Sequence, residues 1–215
     1  MAELRLFIGN KNYSSWSFRP WIAMKEKGIE FEEELVPFDF ENGNPEFRRF
    51  SPSMKVPVLQ HGELTVWDSL AILEYLAELS PEKGLWPEDP KERAKARSVA
   101  AEMHSGFAAL RSACPMNMRR EHGKLEIPEA AQKDAERIVK IWQECLEASG
   151  GPFLFGEFTV ADAMYAPIAS RFATYCLSDD PAVTGYIDAL TDLPGWREWF
   201  EAALQESWVI PSEEV

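Results

Sequence analysis

A proline- and glycine-rich stretch divides this chain into two unlike parts. Between residues 81 and 90, Pro81, Gly84, Pro87 and Pro90 forbid any long regular element. Upstream, short apolar runs alternate with amphipathic ones. Downstream, apolar residues recur at spacings of three and four, the period of a helix. At 215 residues the chain exceeds the commonest single-domain size. The reading is a small α/β domain over 1–80, a linker over 81–89 and an all-helical domain over 90–215.

Within the first part, Leu4 to Ile8 reads as a buried strand. Ser15 to Lys27 reads as a helix, with Pro20 near its first turn, Lys25 and Lys27 at its last, and Gly28 as the stop. Glu32 to Val36 is a second strand, and Asn44 to Phe50 holds an irregular helix. Val56 to Gln60 and Leu64 to Trp67 are strands around the turn pair His61-Gly62, and Ser69 to Leu79 is a helix. The order is β-α-β-α-β-β-α. In the second part, Asp89, Pro90 and Glu92 suit N-cap, N1 and N3 of a helix. Its apolar stripe, Ala96, Val99, Met103, Phe107 and Leu110, reads as one element. Further helices are expected over 128–148, 160–175, 181–191 and 195–205. The helix over 160–175 is apolar on nearly all sides, which places it centrally.

The charge sum is 22 − 36 = −14. A net-acidic surface repels phosphate backbones and anionic membranes, so neither nucleic acid nor membrane is an expected partner. A local pocket can still oppose the global sign. Cys114, Cys145 and Cys176 form no C-x-x-C pair and suit a reducing compartment. His61, His104 and His122 lack metal-ligand spacing, so no metal is expected. Dinucleotide, P-loop and nucleophile-elbow signatures are missing. Met1 runs straight into the apolar stretch Leu4 to Ile8, without the pattern of a secretory signal. No 18-residue apolar run occurs, and a cytoplasmic location is expected.

Four segments could carry chemistry, and each has a plainer structural alternative. Tyr13-Ser14-Ser15-Trp16-Ser17 lies between the first strand and the first helix, where main-chain N–H groups favour an anion and a hydroxyl can donate to a thiolate. The alternative is simple capping. Lys55-Val56-Pro57-Val58 puts a proline at a strand start, where a cis bond would let Val56 offer its main chain to an extended peptide; the alternative is an edge strand with trans Pro. At Trp67-Asp68-Ser69-Leu70, Ser69 could hold a carboxylate and Asp68 an ammonium, as the head of an amino acid requires; the alternative is capping by Asp68. Thr159 and Asp162 form a capping box, and there the structural reading is preferred.

Together these residues resemble a cytosolic glutathione transferase over nearly the whole chain. Ser14-Ser15-Trp16-Ser17-Phe18-Arg19 is similar to the serine-pair motif of the zeta class, which includes maleylacetoacetate isomerases. Met54 to Leu59 resembles the family's cis-proline strand, Asp68 to Leu76 its γ-glutamyl-binding segment, and Thr159 to Asp162 its C-terminal capping box. The resemblance implies a thioredoxin-like N-terminal domain, an all-α C-terminal domain, glutathione as co-substrate without a metal, and a homodimer. It puts the activating hydroxyl on Ser14, with Ser15 as neighbouring candidate. Val56 would bind the cysteinyl backbone, Asp68 and Ser69 the γ-glutamyl end, and Lys55 the glycyl end. Trp16 and Arg111 would face a small electrophilic second substrate, with Met116, Met118 and Arg119 nearby.

This chain departs from the zeta pattern. Trp16 stands where Cys is usual, and Arg19-Pro20-Trp21 where Arg-Val-Arg is usual. These changes bear on isomerase activity more than on glutathione binding. Cysteine-type classes are disfavoured, since no Cys lies near residues 10–20. The implied reaction is thiolate attack on an electrophile or glutathione-dependent cis–trans isomerisation. A non-catalytic binding or regulatory protein of the same fold, or a glutathione-dependent peroxidase, are the alternatives.

Overall fold

The structure is a computed structural model and describes residues 3–215. Its first part contains β1 (Leu4–Ile8), α1 (Ser15–Glu26), β2 (Glu32–Leu35), a 3-10 turn (Pro45–Arg49), β3 (Val58–His61), β4 (Leu64–Trp67) and α2 (Ser69–Leu79). The sheet order is β2-β1-β3-β4. β1 runs parallel to β2, with Ile8 opposite Leu35, and antiparallel to β3, with Phe7 opposite Val58. β3 and β4 form a hairpin that pairs Val58 with Trp67.

Alternation along β1 feeds two cores. Leu6 and Ile8 join Phe18, Ile22, Ile72 and Leu76 of the two helices. Phe7 points to the opposite face and packs with Val36, Phe47, Phe50, Val56 and Val58. The second core holds the 3-10 turn and the approach to β3 against the sheet, so it fixes where Val56 lies.

The second part is helical: α3 (Pro90–Ser105), α4 (Ala108–Ala113), α5 (Glu129–Ser149), α6 (Val160–Thr174), α7 (Pro181–Thr191) and α8 (Pro194–Gln205). Every residue of α6 except Ala173 is buried, and α1, α3 and α7 pack against it. α8 also meets α1, where Trp199 stacks on Phe18 and meets Trp21 edge-on. The expected class, a thioredoxin-like α/β part followed by an all-α part, is the one observed. Among the described residues, no helix is long and apolar enough to cross a membrane.

Four local expectations are corrected. The helix expected through Leu110 breaks at Gly106 and Phe107. Phe107 adopts a φ of 57°, and a Cβ on Gly106 would meet the Glu102 carbonyl oxygen at 2.7 Å. Asp134 of α5 then accepts from the Leu110 N–H at 3.0 Å, supplying from another helix a partner that no neighbour in sequence provides. Pro20 sits inside α1 rather than in its first turn, and its missing N–H leaves the Trp16 carbonyl without the usual helical donor. β3 starts at Val58, after the proline that cannot donate to the ladder. The linker contains a 3-10 turn, Pro81–Lys83.

Candidate functional site

The loop from β1 to α1 leaves a helix start open. Ser14 is the N-cap residue, yet its side chain makes no capping hydrogen bond. Its hydroxyl donates to Ser17 Oγ at 2.7 Å, and Ser17 Oγ also accepts from the Gly9 N–H at 3.2 Å. Ser15, the first residue of α1, has a hydroxyl without a partner among the described residues. The main-chain N–H groups of Trp16 and Ser17 likewise take none. Two hydroxyls and two N–H donors therefore gather at the positive end of a helix, which is an arrangement for an anion. The capping alternative for this serine is not what the side chain does.

Ser14, Ser15, Trp16, Lys55, Val56 and Arg111 line one cleft of about 500 Å³. Val56 precedes a cis peptide bond to Pro57, and its N–H and C=O take no partner among the described residues. The turn before it is fastened by Ser51, whose hydroxyl donates to the Lys55 carbonyl at 2.6 Å and accepts from the Lys55 N–H at 3.0 Å. The unpartnered main chain of Val56 is thus held in place while Lys55 stays exposed.

Arg111 and Arg171 give the cleft a cationic wall, although the chain is acidic as a whole, and Arg19 lies buried next to it, outside the lining. The Arg19 guanidinium lies 4.0 Å from the centre of the Trp16 ring, and that of Arg111 lies 5.2 Å from it. Arg19 is fully buried; it donates to the Ser15 carbonyl and the Met164 carbonyl at 3.0 Å each, and its Nη2 has no partner. Arg171 is buried too, with Nε on the Cys114 carbonyl at 2.7 Å and Nη1 on the Pro167 carbonyl at 2.9 Å. Burial, and then the neighbouring Arg111, bring Arg171 down to about 10. Burial lowers Arg19 well below its ordinary value, with Arg171 adding to the effect. Among the described residues, none of these three arginines has an ion pair. Unpaired buried cations cost folding free energy, so the site holds a positive field ready for a ligand.

Asp68 and Ser69 stand beside this cleft and are not among its lining residues. Asp68 does cap α2: its Oδ1 accepts from the Leu70 N–H at 2.9 Å and the Ala71 N–H at 3.4 Å. Its Oδ2 lies 3.2 Å from His104 Nε2, and His104 meets Trp16 edge-on, linking the two places. Asp68 thus caps the helix through one oxygen, while its other oxygen contacts His104. Ser69 is buried with an unpartnered hydroxyl, and its N–H takes no partner either. Buried polar atoms are nearly always hydrogen-bonded, so this pair of donors awaits an acceptor.

Met116, Met118 and Arg119 do not line the cleft. Met118 borders a separate cavity with His122 and Trp196. Arg119 ties down the C-terminal segment, donating to the Trp208 carbonyl at 2.6 Å and the Tyr13 hydroxyl at 2.8 Å. That segment returns over the cleft and contributes Ile210, Ser212 and Glu213 to its wall. Sequence reading did not assign Arg171 and Glu213 to the cleft that they line, or Arg19 and His104 to the Trp16 ring that they meet. Arg171 carried a signal, as the one cation within a helix of mostly apolar residues. Glu213, in a terminal stretch with no periodicity, carried none.

The chain matches family models in two stretches: the N-terminal domain of glutathione S-transferases over residues 13–79, and the C-terminal domain over residues 118–202. It is 32% identical over 193 residues to a maleylacetoacetate isomerase of Rattus norvegicus, covering 86% of this chain and 87% of that protein. It is 34% identical over 157 residues to glutathione S-transferase 1 of Dianthus caryophyllus, covering 72% and 71%. A glutathione transferase homologue from Burkholderia, solved with bound glutathione, superposes with a TM-score of 0.73 at 25% identity, over 95% of this chain and all of that one.

Proposed function

The chain belongs to the glutathione S-transferase family, and from that premise we propose that it activates the thiol of glutathione for attack on a small electrophile. The observation that carries this reading is the open start of α1, with its unpartnered N–H groups and serine hydroxyls in the same cleft as the free main chain of Val56.

In this reading residues 1–80 bind glutathione and residues 90–215 complete the second-substrate pocket. The cysteinyl main chain pairs with Val56 as one more strand-like rung. The γ-glutamyl carboxylate takes the N–H and hydroxyl of Ser69, and its ammonium faces Asp68. Lys55 faces the glycyl carboxylate. The sulfur then lies at the serine pair. The Ser14 hydroxyl turns from Ser17 to the thiolate, and Ser17 keeps the Gly9 N–H as its donor, so no buried group is orphaned. Ser15 is a second donor that gives up no bond. Trp16 and Arg111 border the electrophile.

The magnitudes suffice. A free thiol has a pKa near about 8.5. Lowering it by about 2 units takes about 2.7 kcal/mol in favour of the thiolate. One hydroxyl donor to an anion supplies roughly 1.5–3 kcal/mol, and the helix end about 0.3–1 more. The field of Arg19 acts in the same direction.

The cationic wall favours one specific version of the reaction. Arg111 and Arg171 suit an electrophile carrying a carboxylate, as in cis–trans isomerisation of an unsaturated acid. There the thiolate forms a C–S bond to one alkene carbon while the π pair moves into the conjugated carbonyl. Rotation follows, the pair returns, and the thiolate leaves unchanged. The free thiols Cys114, Cys145 and Cys176 support a reducing, cytoplasmic setting. The half-exposed Leu64 and Trp67 of β4 are apolar surface that a second copy would cover.

Calorimetry with glutathione, followed by a conjugation assay with chlorodinitrobenzene, tests the reading. Saturable heat and turnover are expected. Absence of heat at about millimolar glutathione contradicts glutathione binding. Heat without turnover of any electrophile points to the non-catalytic alternative.

A further inference from the structure

The C-terminal segment is fastened to the loop that carries the serine pair. The Glu206 carboxylate accepts from the N–H groups of Lys11 at 2.6 Å and Asn12 at 3.0 Å. The Tyr13 hydroxyl donates to Glu214 Oε1 at 2.5 Å and accepts from the Ile210 N–H at 3.3 Å. Arg119 joins Tyr13 and Trp208 from the side. Ile210 is buried beneath this latch, and a 3-10 turn, Pro211–Glu213, carries the chain across the cleft. The turn is closed by the Glu213 N–H on the Ile210 carbonyl at 2.9 Å.

Glu213 therefore stands on a fixed backbone in the same cleft wall as Arg171. Arg171 is equally fixed, since two of its three nitrogens are committed to carbonyl oxygens. Nη2 takes no partner among the described residues. The two groups sense each other without forming an ion pair: burial raises the Glu213 carboxyl and Arg171 opposes that rise, while Glu213 in turn favours the charged form of Arg171. A ligand carboxylate that reaches Arg171 enters beside an anion already in place. Excluding a ligand by a juxtaposed like charge is a recognised route to specificity.

We propose that Glu213 is a specificity-determining residue of the second-substrate pocket, whose carboxylate, held in the cleft wall by the C-terminal latch, competes with an acidic ligand for Arg171 and so tempers the preference for acidic over neutral electrophiles that the arginines create. This rests on the reading of the cleft as the second-substrate pocket and adds a selector to it. An acidic electrophile gains Arg111 and Arg171 only by displacing Glu213 or tolerating it. A neutral aromatic one uses Trp16 and the apolar wall and does not feel the difference.

The test is ligand binding, so it does not depend on turnover. The full chain is first titrated with S-methylglutathione and then with dinitrobenzoate or the neutral dinitrobenzene, read by calorimetry. Glu213→Gln is expected to tighten dinitrobenzoate about tenfold and to move dinitrobenzene by less than about twofold. Glu213→Asp keeps the wild-type preference. Equal shifts for the two aromatics, or none, overturn the proposal, as does failure of both to bind in either form. Missing heat with S-methylglutathione alone refutes glutathione binding instead, and the aromatic ratio still judges Glu213.

Discussion

Two helices begin deep in this molecule, α1 and α6, and their first turns are finished differently. At α6, Thr159 Oγ1 accepts from the Ala161 N–H at 3.2 Å, and Asp162 Oδ2 accepts from the Thr159 N–H at 2.8 Å. Asp162 Oδ1 also takes the Leu154 N–H and the Tyr186 hydroxyl, at 3.0 and 3.1 Å. Every oxygen there has its donors from within the chain. At α1 the capping side chain turns away, and N–H groups and a hydroxyl are left without partners. Both starts are buried, so leaving donors open at α1 has a free-energy cost that α6 avoids. The closed start holds the fold, and the open one is shaped for something that is not part of the chain.

The sharpest way to break this comparison is to open the closed start. Asp162→Ala removes four acceptor contacts from a fully buried hub that joins α6, α7 and the loop before them. We expect a loss of about 3 kcal/mol or more, seen as a fall in the urea midpoint. Next is Ser14→Ala, which removes a donor from the open start. The fold should hold, while turnover drops by roughly 10- to 100-fold with glutathione affinity nearly unchanged. A larger loss in Ser15→Ala than in Ser14→Ala would move the role to the neighbouring hydroxyl. Ser69→Ala should leave turnover at saturation intact and weaken glutathione binding about tenfold, measured by calorimetry. Thr159→Ala, which removes one cap at α6, should cost about 1 kcal/mol of stability and nothing in binding.

Proton linkage separates the same two places. Burial raises the Asp162 carboxyl from 3.8 to about 6 in the folded chain. The proton is therefore held more tightly folded than unfolded. The associated stability is complete below about pH 4 and is lost as pH rises through about 6. The advantage of the wild type over Asp162→Asn should narrow across that window, and unfolding curves at both ends would check it.

How much of this was legible in the sequence follows the same division. The capping box at Thr159 was readable because both partners lie within one turn of each other. The strands and the stop at Gly28 were readable for similar local reasons. The break at Gly106 was not, because Leu110 takes its partner from Asp134 on another helix, and the apolar stripe runs on through Phe107. The serine pair, Val56 and Ser69 were recognisable as segments. That the Ser14 hydroxyl turns to Ser17, and that Ser69 is left without a partner, is decided by packing rather than by neighbours in sequence. The cationic wall depends on side chains from α4 and α6 meeting, against the sign of the net charge.

The most direct measurement follows the thiolate absorbance of glutathione bound to this protein as pH is varied, in the wild type and in Ser14→Ala. If the open start of α1 stabilises the anion, the bound thiol titrates well below its free value of about 8.5 and moves back up in the variant. A bound thiol that titrates at the free value, or one that is indifferent to loss of both serine hydroxyls, would contradict the account.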